Sequence, residues 1–148
     1  MMKIIFVCSG NTSRSPMAEG IFKQMTSGVE VSSAGFSTFS GEKASENAII
    51  VCRKHGIDLS EFRTTNVSDV DLNEFDLVLA ATESARDKIL KLYPYVTAYT
   101  IRQYSGEYED FDIKDPSEDS RGDYVVCFFE IKEALEKILE THEEFARD

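Results

Sequence analysis

Apolar and polar positions along the chain fall into blocks that alternate between the periods of strand and helix. "KIIFVC" from Lys3 is a continuous apolar run, the pattern of a strand covered on both faces. After a polar loop, Pro16 stands where a first helical turn accepts proline. Met17, Ala18, Ile21, Phe22 and Met25 then recur at helical spacing as far as Gly28. "VEVSSAG" from Val29 predicts a second strand running into a glycine turn. Ala44, Ala48, Val51 and Cys52 form the apolar face of a second helix, closed by Gly56. "FDLVLAA" from Phe75 predicts a third buried strand. "TESARDKILKLYP" supplies a threonine cap, a first-turn glutamate and a proline stop at Pro94. "VTAYTI" from Val96 predicts a fourth strand. Segment 102–123 is polar and acidic and reads as a long loop, a kind of segment that tends to carry function. Val125, Phe128, Ile131, Leu135 and Ile138 predict a last helix, with "ETHEEFARD" as a frayed or solvated tail.

Strands that alternate with helices predict an α/β fold with a parallel sheet, here as one domain over residues 1–148. Ligands of such sheets bind beyond the carboxyl ends of the strands. The loop after the first strand and the acidic loop after the fourth both reach that edge.

Composition narrows the partners. An apolar fraction of 42% supports a core, and no apolar run of membrane-spanning length occurs. The N-terminus resembles a weak signal peptide, but a polar motif cuts its apolar part short, so it reads as a first strand of a cytoplasmic protein. A net charge of −11 argues against nucleic acid or anionic membrane as a partner. An anionic ligand therefore needs a local positive site. Cys8, Cys52 and Cys127 do not form a disulfide framework, and no zinc spacing is present; no cofactor or metal is expected.

"VCSGNTSRSPMAEG" from Val7 supplies such a site. Cys8 lies between a strand and a helix N-terminus, where oriented N–H groups favour the thiolate, the form that attacks. Ser9, Gly10, Asn11, Thr12 and Ser13 are small enough to turn their amides inward as an anion nest. Gly10 and Asn11 are the two most able to take positive φ. Arg14 can fork two donors onto one tetrahedral anion, and Ser15 can donate to the sulfur. These parts describe a phosphate cradle with a nucleophile at its base, whereas an isolated cysteine would read as an inert buried thiol. Neither the nucleotide-binding P-loop nor the dinucleotide fingerprint is present. The residues alone leave Asp110, Asp112, Asp115, Glu118 and Asp119 as competing acids.

The same stretch closely resembles the signature loop of low-molecular-weight protein tyrosine phosphatases. The likeness extends to "VSSAG" at Val31, "GIDLS" at Gly56, "FDLVLAAT" at Phe75 and "KDPSED" at Lys114. It implies a flavodoxin/Rossmann-like phosphatase I fold, a three-layer sandwich around a central four-stranded parallel sheet. It implies a metal-independent phosphatase with Cys8 as nucleophile, Arg14 and the loop amides on the phosphate oxygens, and Asp115 before Pro116 as general acid. Ser15 matches the residue that steadies the thiolate and Asn11 the one that shapes the loop. The substrates implied are phosphorylated proteins or peptides, with inhibition by phosphate- or vanadate-like oxyanions, and the enzyme is expected as a monomer or weak dimer.

Within the resemblance, Thr12 stands where tyrosine phosphatases usually carry isoleucine and the family's protein-arginine phosphatases carry threonine. Ser117, Glu118, Asp119 and Ser120 replace the aromatic residues that follow Asp-Pro in both branches. Glu118 and Asp119 favour a cationic neighbour, which a guanidinium supplies. Ser13 stands where many members have a second, protective cysteine. Two rivals are weighed. A thiol-dependent arsenate reductase needs further cysteines after the third strand, and residues 80–120 have none. A non-catalytic phosphopeptide-binding module would need neither the nucleophile nor the acid. His55 reads as a helix-end dipole partner, Phe128 and Phe129 as core, and Tyr104, Tyr108 and Tyr124 as surface residues.

Overall fold

The computed structural model describes residues 1–145. Four parallel strands form one sheet in the order β2-β1-β3-β4, with β1 Met2–Cys8, β2 Val29–Gly35, β3 Leu77–Ala80 and β4 Ala98–Thr100. The strand run predicted from Val96 shortens to those three residues. Cys8 pairs with Gly35 at the carboxyl edge, where β1 and β2 end together.

Period-two alternation builds three layers. Ile4 and Phe6 of β1 face one side, with Leu77 and Leu79 of β3; Ile5 and Val7 face the other, with Val78 and Ala80. The first side is covered by α1 (Arg14–Met25), α2 (Glu46–Arg53) and α5 (Arg121–Thr141), through Ile21, Phe22, Val51, Phe128, Ile131 and Leu135. Phe6 meets Phe22 edge-on with ring centroids 5.7 Å apart. The second side is covered by α3 (Glu83–Leu92), through Ala85 and Ile89, together with Val67 and Leu72. Both faces of the sheet are dry, so its strands read as unbroken apolar runs.

Helix ends follow local chemistry. Ser45 and Thr82 accept hydrogen bonds from Ala48 and Ala85 as N-caps. Gly56 takes φ 77°, the left-handed turn that closes α2.

The structure corrects the predicted elements at several points. Segment 102–123 is not loop throughout. Thr100 and Gln103 form a capping box that starts a one-turn helix, α4 (Ile101–Tyr104), and Ser120 caps α5. The loop is residues 105–120. Helix α1 begins at Arg14, which puts Pro16 in its first turn as expected. On α5, Val125 and Phe129 are half-exposed, and the buried stripe runs through Tyr124, Cys127 and Phe128. Tyr124, read as a surface residue, is fully buried, whereas Tyr108 is exposed. The segment read as a frayed tail folds back at Glu143–Phe145, and Phe145 meets Phe22 edge-on at 5.4 Å. The end of that segment, 146–148, lies outside the described residues. His55 stacks on Phe128 at 4.4 Å, a packing contact beyond any dipole role.

Candidate active site

β1 delivers Cys8 to the carboxyl edge of the sheet, and α1 starts six residues later. The intervening loop is pinned to the strand beside it. Phe36 N–H donates to the Cys8 carbonyl at 3.3 Å, and Ser37 N–H to the Ser9 carbonyl at 2.7 Å. Asn11 is the hub of the loop. It is fully buried and takes φ 55°, the left-handed region in which asparagine is tolerated. Gly10, the other candidate, is not left-handed. Asn11 Oδ1 accepts from Thr65 N–H at 2.9 Å, while Nδ2 donates to Ser15 Oγ at 2.8 Å and Ser33 Oγ at 3.0 Å. All three side-chain bonds hold the turn from inside, where an unpaired carboxamide would be costly.

That pattern fixes proton directions around the sulfur. Ser15 Oγ accepts from Asn11, so its own hydrogen is free to donate to Cys8 Sγ, 2.9 Å away. Asn11 N–H donates to the same sulfur at 3.2 Å. Two donors converge on Sγ at the mouth of α1.

Ser13 occupies the N-cap of α1 but makes no cap bond. Its hydroxyl pairs instead with Tyr124 Oη at 2.9 Å. The first-turn N–H groups of α1 are thus left uncapped by Ser13 at the end of the helix that favours anions, and no acidic residue sits in that turn.

Arg14 is 6% exposed. Its Nη1 donates to the Ile113 carbonyl at 2.9 Å and its Nη2 to Ser9 Oγ at 3.2 Å. Nε is buried with no hydrogen-bond partner among the described residues; its ion-pair neighbour, Asp115 Oδ1, is 3.6 Å away, too far for a hydrogen bond. The guanidinium is thus held by Ile113 and Ser9, and Ile113 is itself tied down, its N–H donating to Ala81 O just beyond β3. Asp115 is mostly exposed, beside buried Pro116. Residues 8–14, including Thr12, line a cavity of about 60 Å³ with Asp115 and Glu118.

The structure therefore gathers Cys8, Ser9, Gly10, Asn11, Thr12, Ser13, Arg14 and Asp115 around one small cavity, with Ser15 beneath the sulfur. Of the rival acids, only Glu118 joins Asp115 there. Asp112 is engaged elsewhere, accepting from Glu83 N–H at the start of α3. Sequence reasoning missed Tyr124, which accepts from Ser13 and donates to Glu118 Oε1 at 2.9 Å. Burial raises the Tyr124 phenol above its ordinary value, Ser13 opposes this and Glu118 adds to it. Sequence reasoning also missed the roles of Ser33 and Thr65, although a serine inside a buried strand such as β2 signals a polar partner. Cys52 and Cys127 are buried in α2 and α5, and burial pushes both thiols up to about 12. Among the described residues, no group of three or more histidines, cysteines and carboxylates could hold a metal ion.

Known proteins share this arrangement of chain. A probable low molecular weight protein-tyrosine-phosphatase, EpsP of Ralstonia solanacearum, is 40% identical over 113 residues, spanning 76% of this chain and 77% of its own. A protein-arginine-phosphatase of Geobacillus stearothermophilus is 36% identical over 118 residues, spanning 77% and 78%. A solved structure of the YwlE arginine phosphatase, a cysteine-to-serine mutant with a phosphorylated active-site serine, superposes with a TM-score of 0.87 at 29% identity, covering 98% of this chain and all of that one. The sequence model of one family matches residues 3–148, and on that match the chain belongs to the low molecular weight phosphotyrosine protein phosphatases.

Proposed function

We propose that this enzyme hydrolyses phosphorylated protein side chains through a phosphocysteine, without a metal. The observation that carries this reading is the sulfur of Cys8, which meets two donors at the start of α1 inside a cavity that Arg14 and Asp115 also line. In the first step the thiolate attacks phosphorus and forms the S–P bond. The bond from phosphorus to the leaving atom breaks, and Asp115 gives that atom its proton. Arg14 and the uncapped N–H groups of α1 bind the equatorial oxygens, where charge accumulates. In the second step Asp115 takes a proton from water, the water oxygen attacks phosphorus, the S–P bond breaks and inorganic phosphate leaves. A phosphorylated active-site serine in the YwlE mutant fits such a covalent route.

The test is hydrolysis of p-nitrophenyl phosphate. Turnover that vanishes in Cys8→Ser and is blocked by vanadate is the expected result. Undiminished turnover in Cys8→Ser overturns the reading, and inert wild-type protein does the same.

Between the two substrate classes named among its relatives, we assign phosphoarginine. Thr12 lines the cavity where an isoleucine would wall a phosphotyrosine ring with hydrocarbon. Thr12→Ile is expected to shift kcat/KM from a phosphoarginine protein towards a phosphotyrosine peptide; an unchanged ratio overturns the assignment. Three unpaired cysteines suit a reducing compartment, and we place the enzyme in the cytoplasm, acting as a monomer or weak dimer. Among the described residues, no helix is long and apolar enough to cross a membrane.

A further inference from the structure

The cavity beside Cys8 is lined by two exposed acidic residues, one more than a single general acid requires. Asp115 and Glu118 both line it, three residues apart. Both would oppose an incoming phosphate dianion, so a second carboxylate needs a compensating role. The chain also holds Glu118 in place by two anchors. Its carbonyl accepts from Asn47 Nδ2 at 3.0 Å, and Asn47 Oδ1 accepts in turn from Arg121 Nε at 3.1 Å. Its Oε1 accepts from Tyr124 Oη at 2.9 Å. Tyr124 is fully buried and has one hydrogen to give. With that hydrogen spent on Glu118, Ser13 must donate to Tyr124, so a chain of hydrogen bonds from the phosphate loop ends on the carboxylate of Glu118. One oxygen is thereby fixed, and the other remains for a ligand.

We propose that Glu118 is a specificity-determining residue that binds a cationic leaving group, the guanidinium of a phosphorylated arginine. The inference rests on the phosphatase reading above and deepens it. The floor of the same cavity is cationic: Arg14, more than nine-tenths buried, has an Nε without a hydrogen-bond partner among the described residues. The cavity is thus positive below, where phosphoryl oxygens sit, and negative above, where the leaving group sits. A phosphoguanidinium carries that charge separation. As the S–P bond forms and the P–N bond breaks, Asp115 donates its proton to the departing nitrogen. The product is again a guanidinium cation, so Glu118 faces positive charge before and after the step. With phosphotyrosine the departing group is a neutral phenol, and the charge of Glu118 is uncompensated.

The division of labour between the carboxylates follows from their contacts. Asp115 lies beside the buried guanidinium of Arg14, close to the transferring group. Glu118 is anchored from α5 and α2 and acts as a fixed counter-charge.

The experiment compares wild type with Glu118→Gln on two peptides of one flanking sequence, carrying phosphoarginine or phosphotyrosine. The expected result is that kcat/KM falls about tenfold for phosphoarginine and rises for phosphotyrosine, the scale of one charge-assisted contact. The thermal midpoint of the variant should match wild type, because the carboxamide oxygen of Glu118→Gln still accepts from Tyr124. Equal changes for the two peptides, or none, overturn the role of Glu118. A wild type that turns over p-nitrophenyl phosphate through Cys8 but ignores phosphoarginine overturns it as well and leaves the phosphatase reading standing. A wild type inert to p-nitrophenyl phosphate overturns both.

Discussion

Gly35 lies against Asn11 so closely that a Cβ on Gly35 would stand 2.8 Å from Asn11 Cβ, 2.9 Å from its backbone nitrogen and 2.7 Å from the Ser9 carbonyl oxygen. Two of these three neighbours are backbone, which cannot swing aside. Gly35→Ala therefore has to move the loop that carries Ser9 and Asn11, and with it the N–H that reaches the sulfur. The expected outcome is a fall in kcat on p-nitrophenyl phosphate of at least about tenfold, since small displacements of reacting groups are costly. Steady-state kinetics and a thermal melt together check it. A variant with wild-type kcat would mean the loop tolerates the shift.

Ser15 has a different kind of influence on the same sulfur. Its hydroxyl accepts from Asn11 and is left to donate to Cys8 Sγ. A hydrogen bond to a charged partner contributes about 1.5–3 kcal/mol. Ser15→Ala should lower kcat by roughly tenfold or more. It should also slow alkylation of Cys8 by iodoacetamide, which reads the nucleophilicity of the sulfur directly. Slower turnover with unchanged alkylation would show that Ser15 acts on the loop and not on the sulfur.

Local chemistry made most of this legible from sequence. β1 and β3 are apolar at every buried position because both faces are covered, and Gly56 closes α2 by positive φ, whereas α1 ends earlier than Gly28, at an extended Thr26. The loop from Cys8 to Arg14 that lines the cavity is contiguous, so its members stand together in the sequence. What remained hidden depends on distant partners. Ser33 and Thr65 reach Asn11 from 22 and 54 residues away, and Tyr124 reaches Ser13 across 111. Tyr124 looks like one more polar-tipped aromatic beside an acidic loop; only the turn of α5 that buries it reveals the pairing. Phe145 was misread for the same reason, since its charged neighbours suggest solvent and its partner Phe22 lies on another helix.

All three cysteines are buried, and Cys8 differs in lining the cavity with two donors on its sulfur. Cys52 and Cys127 are buried, and burial pushes their thiols up to about 12, so neither is a thiolate at neutral pH. Native protein at pH 7 should show one thiol that reacts rapidly with Ellman's reagent, and all three after unfolding in urea. With Ser13 in the loop, an oxidised Cys8 has no cysteine at that position to capture it as a disulfide. Peroxide inactivation should therefore recover poorly with dithiothreitol, with Cys8 gaining two oxygens by mass spectrometry. Full recovery, or a bridge from Cys8 to Cys52 or Cys127, would contradict this.

The C-terminal fold-back should lose a stabilising contact in acid. Tyr104 Oη donates to Glu144 Oε1 at 2.7 Å, and His142 stacks on the Tyr104 ring at 3.9 Å. The Tyr104 hydrogen bond, chiefly, holds the Glu144 carboxyl below its ordinary 4.5. A carboxyl whose folded value lies below its unfolded one stabilises the fold above the unfolded value. That contribution fades as pH falls from about 4.5 through the folded value. The segment should thus loosen below pH 4.5 while the sheet persists. Amide exchange at 142–145 should rise there in wild type and be high at neutral pH in Glu144→Gln. Phe145→Ala removes the edge-on contact with Phe22 and should cost about 2 kcal/mol, less than a central aromatic because the site lies near the chain end. Its thermal midpoint should drop by several degrees with kcat on p-nitrophenyl phosphate retained, because Phe145 packs on the α1 and α5 side of the core and not against the cavity. Loss of kcat in parallel with the midpoint would instead tie this corner of the core to the Cys8–Arg14 loop through α1.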